Sequence, residues 1–276
     1  GDFSDIGPEN ILNGDFSEIG PEEVLNGDFS EEGAEEVTNG DFANDLDDWT
    51  SYGITSATGG IATIGASTNS GIFQNTLTNG KSYTVTINVT SYDGVGSAQV
   101  ANNNGAIIYT ITTTGIQTFT FKHNIASGNL LIRGMSNALF SISSVSVKEV
   151  GQDWMINNGW SVGNNKVIFS DTGNGDIRTT SNVFTASKHY QIKITVQDLI
   201  GSNTAFFGMG DGGPSNLVNY AHYSNGEHIF NVTAPNGSHL RLYSTTSSGG
   251  SYSITNISIK EVGQDWSLSG DWTVSN

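Results

Sequence analysis

The sequence contains no cysteine, so it has neither a disulfide framework nor a thiolate for metal binding or catalysis. Proline is scarce, with 4 residues in 276, and no apolar run approaches the roughly 18 residues that a membrane-spanning helix needs. We therefore expect no membrane insertion. Glycine is abundant, with 35 residues, and the many threonines, serines and asparagines are typical of short strands joined by polar turns.

Basic residues are also few, and the charge is unevenly distributed. The chain has 10 lysines and arginines against 27 acids, for a net charge of −17. Residues 1–48 hold 16 acids and no lysine or arginine, whereas the remainder is nearly neutral with 11 acids and 10 bases. Binding to nucleic acid requires clustered cations, so we exclude nucleic acid as a partner.

Internal repeats divide the chain. The heptad KEVGQDW at residues 148–154 recurs 112 residues later, at residues 260–266. We expect it to separate module 1 (residues 40–150) from module 2 (residues 151–262), and we expect residues 263–276 to be the start of a truncated third module. Residues 1–39 are three acidic 13-residue repeats: repeat 1 is GDFSDIGPENILN, repeat 2 is GDFSEIGPEEVLN and repeat 3 is GDFSEEGAEEVTN. Such periods indicate a tandem architecture.

Both modules show the period of two that is typical of strands with one face on a core. Apolar residues alternate with polar ones from Tyr83 to Val89 and again from Tyr190 to Val196. No helical period extends over more than a few residues, so the pattern predicts all-β sandwiches. The parity of apolar residues switches within residues 140–147 and 252–259, which predicts β-bulges at Ser143-Ser144 and Thr255-Asn256.

The 13-residue repeats look like spare copies of the strand that opens module 1. One reading is a flexible acidic leader. The other is an ordered stack of strands in which Phe3, Phe16, Phe29 and Phe42 form an apolar ladder, with Glu22-Glu23 beside Glu35-Glu36. On the second reading, residues 1–39 mediate self-association that divalent cations favour by relieving the like-charge repulsion.

Catalytic motifs are weak. Gly208, Gly210 and Gly213 fit a phosphate-binding pattern, but Pro214 and a strand-like run follow, so a hairpin loop is predicted instead of a phosphate site. The five histidines are scattered, and the modules contain few carboxylates. We identify no catalytic residue and expect the protein not to be an enzyme.

Aromatic and amide side chains are the best candidates for ligand binding, because flat rings can pack against sugar rings while amides form hydrogen bonds. In module 2 the candidates are Tyr220, His222 and Tyr223, beside the glycine-rich loop. In module 1 they are Tyr92 and Asn103. A core role is predicted for Trp49, Trp160 and Trp272, which are expected at equivalent positions of successive copies.

A cluster of acids lies at the start of module 1. Asp41, Asp45, Asp47 and Asp48 offer oxygen ligands that suit calcium, and the alternative is a solvated acidic turn. No cofactor is required on either reading.

Residues 37–42 (VTNGDF), followed by Trp49, and residues 140–147 (FSISSVSV) resemble the first and last strands of carbohydrate-binding modules of the galactose-binding-like jelly-roll kind. Such modules also resemble those of phage tail fibres and virion surface proteins. In the family an Asp-Asp pair before the last strand helps to hold calcium; here Ser143-Ser144 and Thr255-Asn256 stand in its place.

The resemblance implies two tandem jelly-roll β-sandwiches in an extracellular or virion-surface protein. The function that it implies is non-enzymatic binding of glycans or cell-surface polysaccharide, as an adhesin or tail-fibre component. Two alternatives are a purely structural spacer or assembly protein, and accessory modules of a polysaccharide-degrading enzyme.

Overall fold

The computed structural model describes residues 11–266, apart from residues 14, 16, 104, 171–172, 203, 212–215 and 246–249. All regular structure in this part of the chain is β-strand, as the alternation predicts. It includes no helix that could span a membrane.

Module 1 consists of two facing sheets. The strands of the leader and of this module are β1 (Ile19–Glu22), β2 (Glu32–Glu35), β3 (Thr50–Tyr52), β4 (Thr55–Thr58), β5 (Ile61–Ile64), β6 (Asn69–Asn75), β7 (Ser82–Tyr92), β8 (Ser97–Asn102), β9 (Ile107–Ile111), β10 (Gly115–Lys122), β11 (Asn129–Met135) and β12 (Phe140–Val150). The back sheet has the order β10-β7-β12-β5-β4, and the front sheet has the order β3-β6-β11-β8-β9.

Module 2 repeats this plan. Its strands are β13 (Trp154–Ile156), β14 (Trp160–Val162), β15 (Val167–Phe169), β16 (Gly175–Thr179), β17 (His189–Ile200), β18 (Ala205–Gly210), β19 (Asn216–Tyr223), β20 (Gly226–Thr233), β21 (Arg241–Ser244) and β22 (Ser251–Val262). The back sheet runs β14-β15-β22-β17-β20 and the front sheet runs β13-β16-β21-β18-β19. The predicted tandem jelly-roll fold is thus confirmed.

The core of each module lies between its two sheets. The alternating apolar residues of β7 are buried, and so are their counterparts on β17: Tyr83, Val85, Ile87, Val89, Tyr190, Ile192, Ile194 and Val196. Full burial of an aliphatic side chain contributes about 1.5–3 kcal/mol. A one-residue slip of either strand would expose this whole face, so the core fixes the register.

Both predicted bulges are confirmed. On β12, Ile142 faces Val89 and Ser144 faces Asn88, so Ser143 has no Cα partner on β7. On β22, Ile254 faces Val196 and Asn256 faces Thr195, which leaves Thr255 as the extra residue. The extra residue lets apolar side chains on both sides of the bulge point into the core despite the change of parity.

The repeats add strands to the modules. Strand β2 of repeat 3 pairs antiparallel with β12, the last strand of module 1, and β1 of repeat 2 pairs antiparallel with β22, the last strand of module 2. The order of these two repeats along the chain is therefore the reverse of the order of the modules with which they pair. The predicted stack of repeats on one another is wrong for the described strands, because the edges of β12 and β22 provide backbone partners and a core for the apolar side chains.

Two phenylalanines of the supposed ladder are described, and both are buried: Phe29 is 2% exposed and Phe42 is 0% exposed. Phe42 packs against Trp49 with 5.6 Å between ring centroids. Phe3 and Phe16 lie outside the described residues.

The chain forms two compact units. One comprises Gly1–Asp28, Asp153–Trp160 and Lys166–Asn276, and the other comprises Phe29–Gln152 and Ser161–Asn165. Repeat 2 thus belongs to the same unit as most of module 2, although more than 120 residues of sequence separate them.

Three tryptophans occupy equivalent positions, but they are not the predicted three. The indole N–H of Trp49 donates to the carbonyl of Asn39 (3.1 Å), that of Trp154 to Asn26 (3.0 Å) and that of Trp266 to Asn13 (3.0 Å). The predicted equivalence of Trp49 and Trp160 is therefore wrong. The physical reason is that each equivalent indole binds the asparagine carbonyl before a Gly-Asp-Phe sequence, and module 2 receives that segment from far upstream.

The core role predicted for Trp49, Trp160 and Trp272 is confirmed for the first two. Trp49 and Trp160 are both buried, and Trp160 packs against Phe169 with 5.3 Å between ring centroids. Trp272 lies outside the described residues.

Candidate functional site

The front sheet of module 2 carries a row of aromatic side chains on the face that points away from the core. We call Phe206, Tyr220, His222 and Tyr243 the aromatic face. Strand alternation separates these residues from buried neighbours such as Phe207 and Leu242. The sheet order places β21, β18 and β19 side by side, so residues distant in sequence become neighbours.

The rings of the aromatic face form a continuous row of contacts across the sheet. Tyr220 stacks on Phe206 with 5.2 Å between centroids and 15° between planes. Phe206 also contacts His222, with 4.7 Å between ring centroids. Tyr243 meets Tyr220 edge-on at 4.7 Å. The hydroxyl of Thr204 lies 2.9 Å from His222 Nδ1, which fixes the imidazole. Tyr220 is 40% exposed, more than Phe206 and Tyr243, which are half-buried.

Gly208 makes room for this arrangement. A Cβ at Gly208 would lie 2.6 Å from Cε2 of Tyr243 and 3.1 Å from the backbone nitrogen of Tyr220. The Tyr243 ring therefore lies directly over the glycine backbone. The glycine has a packing role in the sheet, in place of the phosphate-binding role that its sequence pattern resembles.

Polar groups border the aromatic face. Arg241 donates to the Asp176 carboxylate at 3.0 Å, and its guanidinium carbon lies 5.9 Å from the Tyr243 ring centroid. Asn157 donates to the other oxygen of Asp176 at 3.2 Å. The Tyr243 hydroxyl donates to Asn216 Oδ1 at 2.5 Å. Guanidinium, carboxylate and amide groups thus surround the rings, as in sites that orient a polar ligand.

The phenols of the aromatic face are neutral donors at physiological pH. Burial raises the pKa of Tyr220 and of Tyr243 above the usual range for tyrosine, and Arg241 opposes the shift in both. An ionised phenolate would lose the O–H donor. Protonated Tyr243 keeps its bond to Asn216.

The structure brings together two of the three residues predicted in module 2. Tyr220 and His222 belong to the aromatic face, whereas Tyr223 points to the opposite side of β19. There it stacks on Phe207 with 4.2 Å between centroids and meets Phe230 at 5.5 Å. Tyr223 is therefore part of the margin of the core.

The two residues predicted in module 1 lie apart from each other. Tyr92 ends β7 of the back sheet, with its hydroxyl 3.5 Å from the Gly96 carbonyl. Asn103 follows β8 of the front sheet, where its side-chain oxygen accepts a hydrogen bond from Asn129 at 3.1 Å. No shared site is formed by this pair.

The front sheet of module 1 carries a different set of side chains on the face that corresponds to the aromatic face. Tyr52 and Phe73 lie 6.5 Å apart, and Arg133 donates to Gln99 at 3.1 Å. The two modules therefore share a fold and differ at this surface.

The acidic turn of module 1 contains the four predicted calcium ligands, all of them exposed. The Asp41 carboxylate accepts a hydrogen bond from the Ala43 backbone, and the carbonyls of Asp45 and Asp47 accept bonds from the Asn39 side chain. Within the described residues no three acids or histidines are grouped so that they could hold a metal ion. Calcium binding by Asp41, Asp45, Asp47 and Asp48 stays a prediction.

The antiparallel pairing of the two strands on either side of the predicted loop agrees with a hairpin. Gly208 and Gly210 belong to β18, which pairs antiparallel with β19; Gly213 and Pro214 lie outside the described residues. Asp211, just after β18, is buried and accepts a hydrogen bond from the Asn236 backbone at 2.9 Å. Its role is therefore to hold a loop.

A pocket of about 280 Å³ lies at the other end of module 2, lined among others by Lys188, Glu261 and Trp266. At the matching place beside the end of module 1, Val162 packs against Gly151. The residue that corresponds to Val162 in the repeat is Val274, which lies outside the described residues.

No protein-family model and no curated protein sequence matches the chain. Among solved structures, the N-terminal CBM22 tandem domain from Paenibacillus barcinonensis is similar over 84% of this chain and 99% of its own, at 12% identity and a TM-score of 0.32. A fucolectin from striped bass serum is similar over 73% and 85%, at 12% identity and a TM-score of 0.28. Allantoicase from Saccharomyces cerevisiae is similar over 71% and 78%, at 10% identity and a TM-score of 0.32. The assignment of a function rests on the geometry of the site.

Sequence reasoning missed Phe206, Tyr243, Arg241 and Asp176. Alternation within each strand could have placed Phe206 opposite the buried Phe207 and Tyr243 opposite the buried Leu242. That β21 lies beside β18 could not be read from local pattern, because it depends on long-range pairing.

Proposed function

We propose that the chain is a non-enzymatic glycan-binding protein whose principal site is the aromatic face of module 2. One observation carries the proposal: Tyr220 presents an open ring in line with Phe206 and Tyr243, next to the Arg241–Asp176 pair. Contiguous aromatic surface bordered by hydrogen-bonding groups favours a ligand that is apolar on its ring faces and polar at its edges.

A sugar ring has this chemistry. Its axial C–H groups can pack on Tyr220, and its hydroxyls can both donate to Asp176 and accept from Arg241. Because Arg241 and Asp176 neutralise each other, the site suits a neutral glycan better than a strongly charged one. The exposed Tyr220 ring lies nearly parallel to that of Phe206, which suits stacking against a sugar within a polysaccharide chain.

The setting we propose is extracellular, on a cell or virion surface, as an adhesin or tail-fibre component. Weak binding to each module would be strengthened when several modules engage one polysaccharide. Because the module 1 face differs from the aromatic face, the two modules need not bind the same sugar.

The test is a glycan array on the full chain, followed by titration of the best ligand. Tyr220→Ala should weaken binding about tenfold, because one stacked face contributes roughly 0.5–1.5 kcal/mol beyond its buried area. Ile229→Ala is the matched control: Ile229 is 52% exposed and lies on β20 of the back sheet. It should leave affinity unchanged. A blank array would favour the structural-spacer alternative, and equal affinities of the two variants would place the site elsewhere.

A further inference from the structure

Module 2 obtains its opening strand from a segment 128 residues upstream. The contact between the two is a defined set of hydrogen bonds. The Glu22 carboxylate accepts from the Ile259 backbone at 2.7 Å and from the Ser258 hydroxyl at 2.6 Å. The Trp154 indole donates to the carbonyl of Asn26, 128 positions earlier in the chain, at 3.0 Å.

Shape adds to this recognition. The Ile257 backbone donates to the Gly27 carbonyl at 2.9 Å, and a Cβ on Gly27 would lie only 2.1 Å from the Ile257 carbonyl oxygen. Glycine is therefore required at this position of the repeat. Val24, buried to 5% exposure, anchors the strand in the core. The edge of β22 together with Trp154 forms what we call the repeat-binding site, which selects glutamate, valine and glycine at fixed spacing.

The same contacts recur where repeat 3 meets module 1. Glu35 accepts from the Val147 backbone at 2.7 Å and from the Ser146 hydroxyl at 2.6 Å, and the Val145 backbone donates to the Gly40 carbonyl at 2.8 Å. One side-chain contact differs. Lys148 forms an exposed ion pair with Glu32 at 2.9 Å, and the position of Glu32 is held by Ile19 in repeat 2. An exposed pair contributes little to specificity.

The two sites differ in how the strand is tethered. Repeat 3 continues directly into module 1, with only 10 positions from Asn39 to Trp49. Repeat 2 reaches its site by closing a loop that contains all of module 1, and the carbonyl of Asn13 in repeat 1 is bound by Trp266 across 253 positions. The entropic cost of closing a loop rises with its length. The chain's own repeat 2 therefore has a smaller advantage over an identical strand from another molecule than repeat 3 has.

We propose that the repeat-binding site of module 2 is a peptide-binding site that also takes a 13-residue repeat from a second copy of this chain. Every contact named above is kept when the strand comes from another copy. Docking within one chain and docking between two chains therefore differ in the entropic cost of bringing the strand to its site. Exchange of identical elements is a low-cost route to assembly. The proposal does not depend on glycan binding, because none of its residues belongs to the aromatic face.

The absence of native cysteine permits a direct test by cysteine trapping on full-length chains. Ile19 and Val262 are Cα partners, and cross-strand partners lie within disulfide range. The double variant carrying Ile19→Cys and Val262→Cys should form an intrachain disulfide, which verifies the geometry. The two single variants, one of them isotope-labelled, are then mixed in a glutathione redox buffer.

The mixture should yield an interchain disulfide between positions 19 and 262, which mass spectrometry identifies. While exchanged molecules are a minority, its fraction should rise about tenfold for a tenfold rise in protein concentration, since docking between chains is second order. The matched control is the Glu32→Cys and Val150→Cys pair, also Cα partners, where the strand is tethered directly to its module. Interchain product no more abundant than in this control, at every concentration, would overturn the proposal.

A second measurement uses a labelled peptide of residues 17–29 (SEIGPEEVLNGDF). The full chain with Gly27→Val cannot dock its own repeat 2, so it should bind the peptide more tightly than the native chain does. The same peptide with Glu22→Ala should bind about tenfold more weakly or worse, because two hydrogen bonds to a carboxylate are lost. Equal binding of the two peptides would contradict the assigned contacts; if Gly27→Val fails to fold, the cysteine experiment alone decides.

Discussion

Gly27 and Gly40 occupy the same position of successive repeats, and at both the last strand of a module comes too close for a side chain. A Cβ would lie 2.1 Å from the Ile257 carbonyl oxygen in the first case and 2.2 Å from that of Val145 in the second. Since the obstacle is backbone, it cannot move aside as a side chain would. A Cβ atom at this position would therefore prevent the repeat from pairing as an opening strand in the observed geometry.

We expect Gly27→Ala to destabilise the unit that contains module 2 by about 2 kcal/mol or more, because the strand must shift away from β22. Urea unfolding followed by tryptophan fluorescence measures the change. Gly173→Ala is the control in the same unit, since a Cβ at Gly173 meets no atom within 4 Å. A comparable loss in both variants would mean that glycine flexibility, and not the close approach, governs the effect.

Glu23 and Glu36 are a second repeated position with a physical consequence. Burial raises the pKa of Glu23, and the nearby carboxylates of Glu261 and Glu22 raise it further. Burial likewise raises the pKa of Glu36, with Glu149 and Glu35 adding to the shift and Lys81 opposing it.

A raised pKa means that the folded state holds the proton more strongly than the unfolded state does. Stability therefore falls as pH rises from the ordinary glutamate range through the folded pKa, and the charged form is a liability at neutral pH. We expect Glu36→Gln to stabilise the protein at pH 7 by less than about 1 kcal/mol, because the group is partly solvated.

This gain should vanish at about pH 3 and below, where the native glutamate is protonated in both states. Urea midpoints at the two pH values measure it, with the exposed Glu18→Gln as a control that should have no effect at either. A larger gain in acid than at neutral pH would show that the sign of the shift is wrong.

At the scale of elements, each leader strand stabilises one strand of one module. β1 pairs with β22 and β2 pairs with β12, in both cases through a glutamate that accepts hydrogen bonds from the strand it joins. The pairing covers an edge that would otherwise expose unpaired backbone groups. Local stability at the end of each module is thus tied to a short and distant segment.

Glu22→Ala should increase amide hydrogen exchange in β22, and Glu35→Ala should do so in β12, by about tenfold or more, because each removes two hydrogen bonds to a carboxylate. Exchange followed by mass spectrometry resolves the two strands, and each variant is the control for the other. Equal effects of either variant on both strands would refute the assignment of one repeat to one module.

At the scale of the whole molecule, the repeats and the modules are matched in opposite order along the chain. Repeat 3 joins module 1 and repeat 2 joins module 2, and the Asn13 carbonyl of repeat 1 is held by Trp266, the tryptophan that follows module 2. Of the two repeats whose strands are described, the earlier one therefore joins the later module.

This order predicts the result of deleting one period. Removal of residues 14–26 joins repeat 1 to Gly27, which restores a repeat with glutamate, isoleucine, asparagine and glycine at the required positions. We expect β22 to keep its slow hydrogen exchange within about tenfold of the native rate, because the buried Val24 is replaced by the similar Ile11. Removal of residues 1–26 leaves no repeat for module 2 and should abolish that protection; equal loss in both deletions would contradict the matching.

Local pattern determined much of this protein. The alternation on β7 and β17 gave the strands and the core, and the parity switches near Ser143 and Thr255 gave the bulges, because a period of two is a property of the backbone itself. The repeated heptad gave the tandem plan. Alternation along β19 also places Tyr223 on the opposite face from Tyr220 and His222, and this could have been predicted from the sequence.

Tertiary structure alone decided the partners. Three nearly identical repeats offer the same local signal, so which of them joins β12 or β22 is set by long-range pairing and by the length of chain between them. The aromatic face likewise draws Phe206, Tyr220 and Tyr243 from three strands that only the sheet order makes adjacent. The equivalence of Trp154 to Trp49 arises in the same way: each indole meets an asparagine carbonyl that, in module 2, lies 128 positions away.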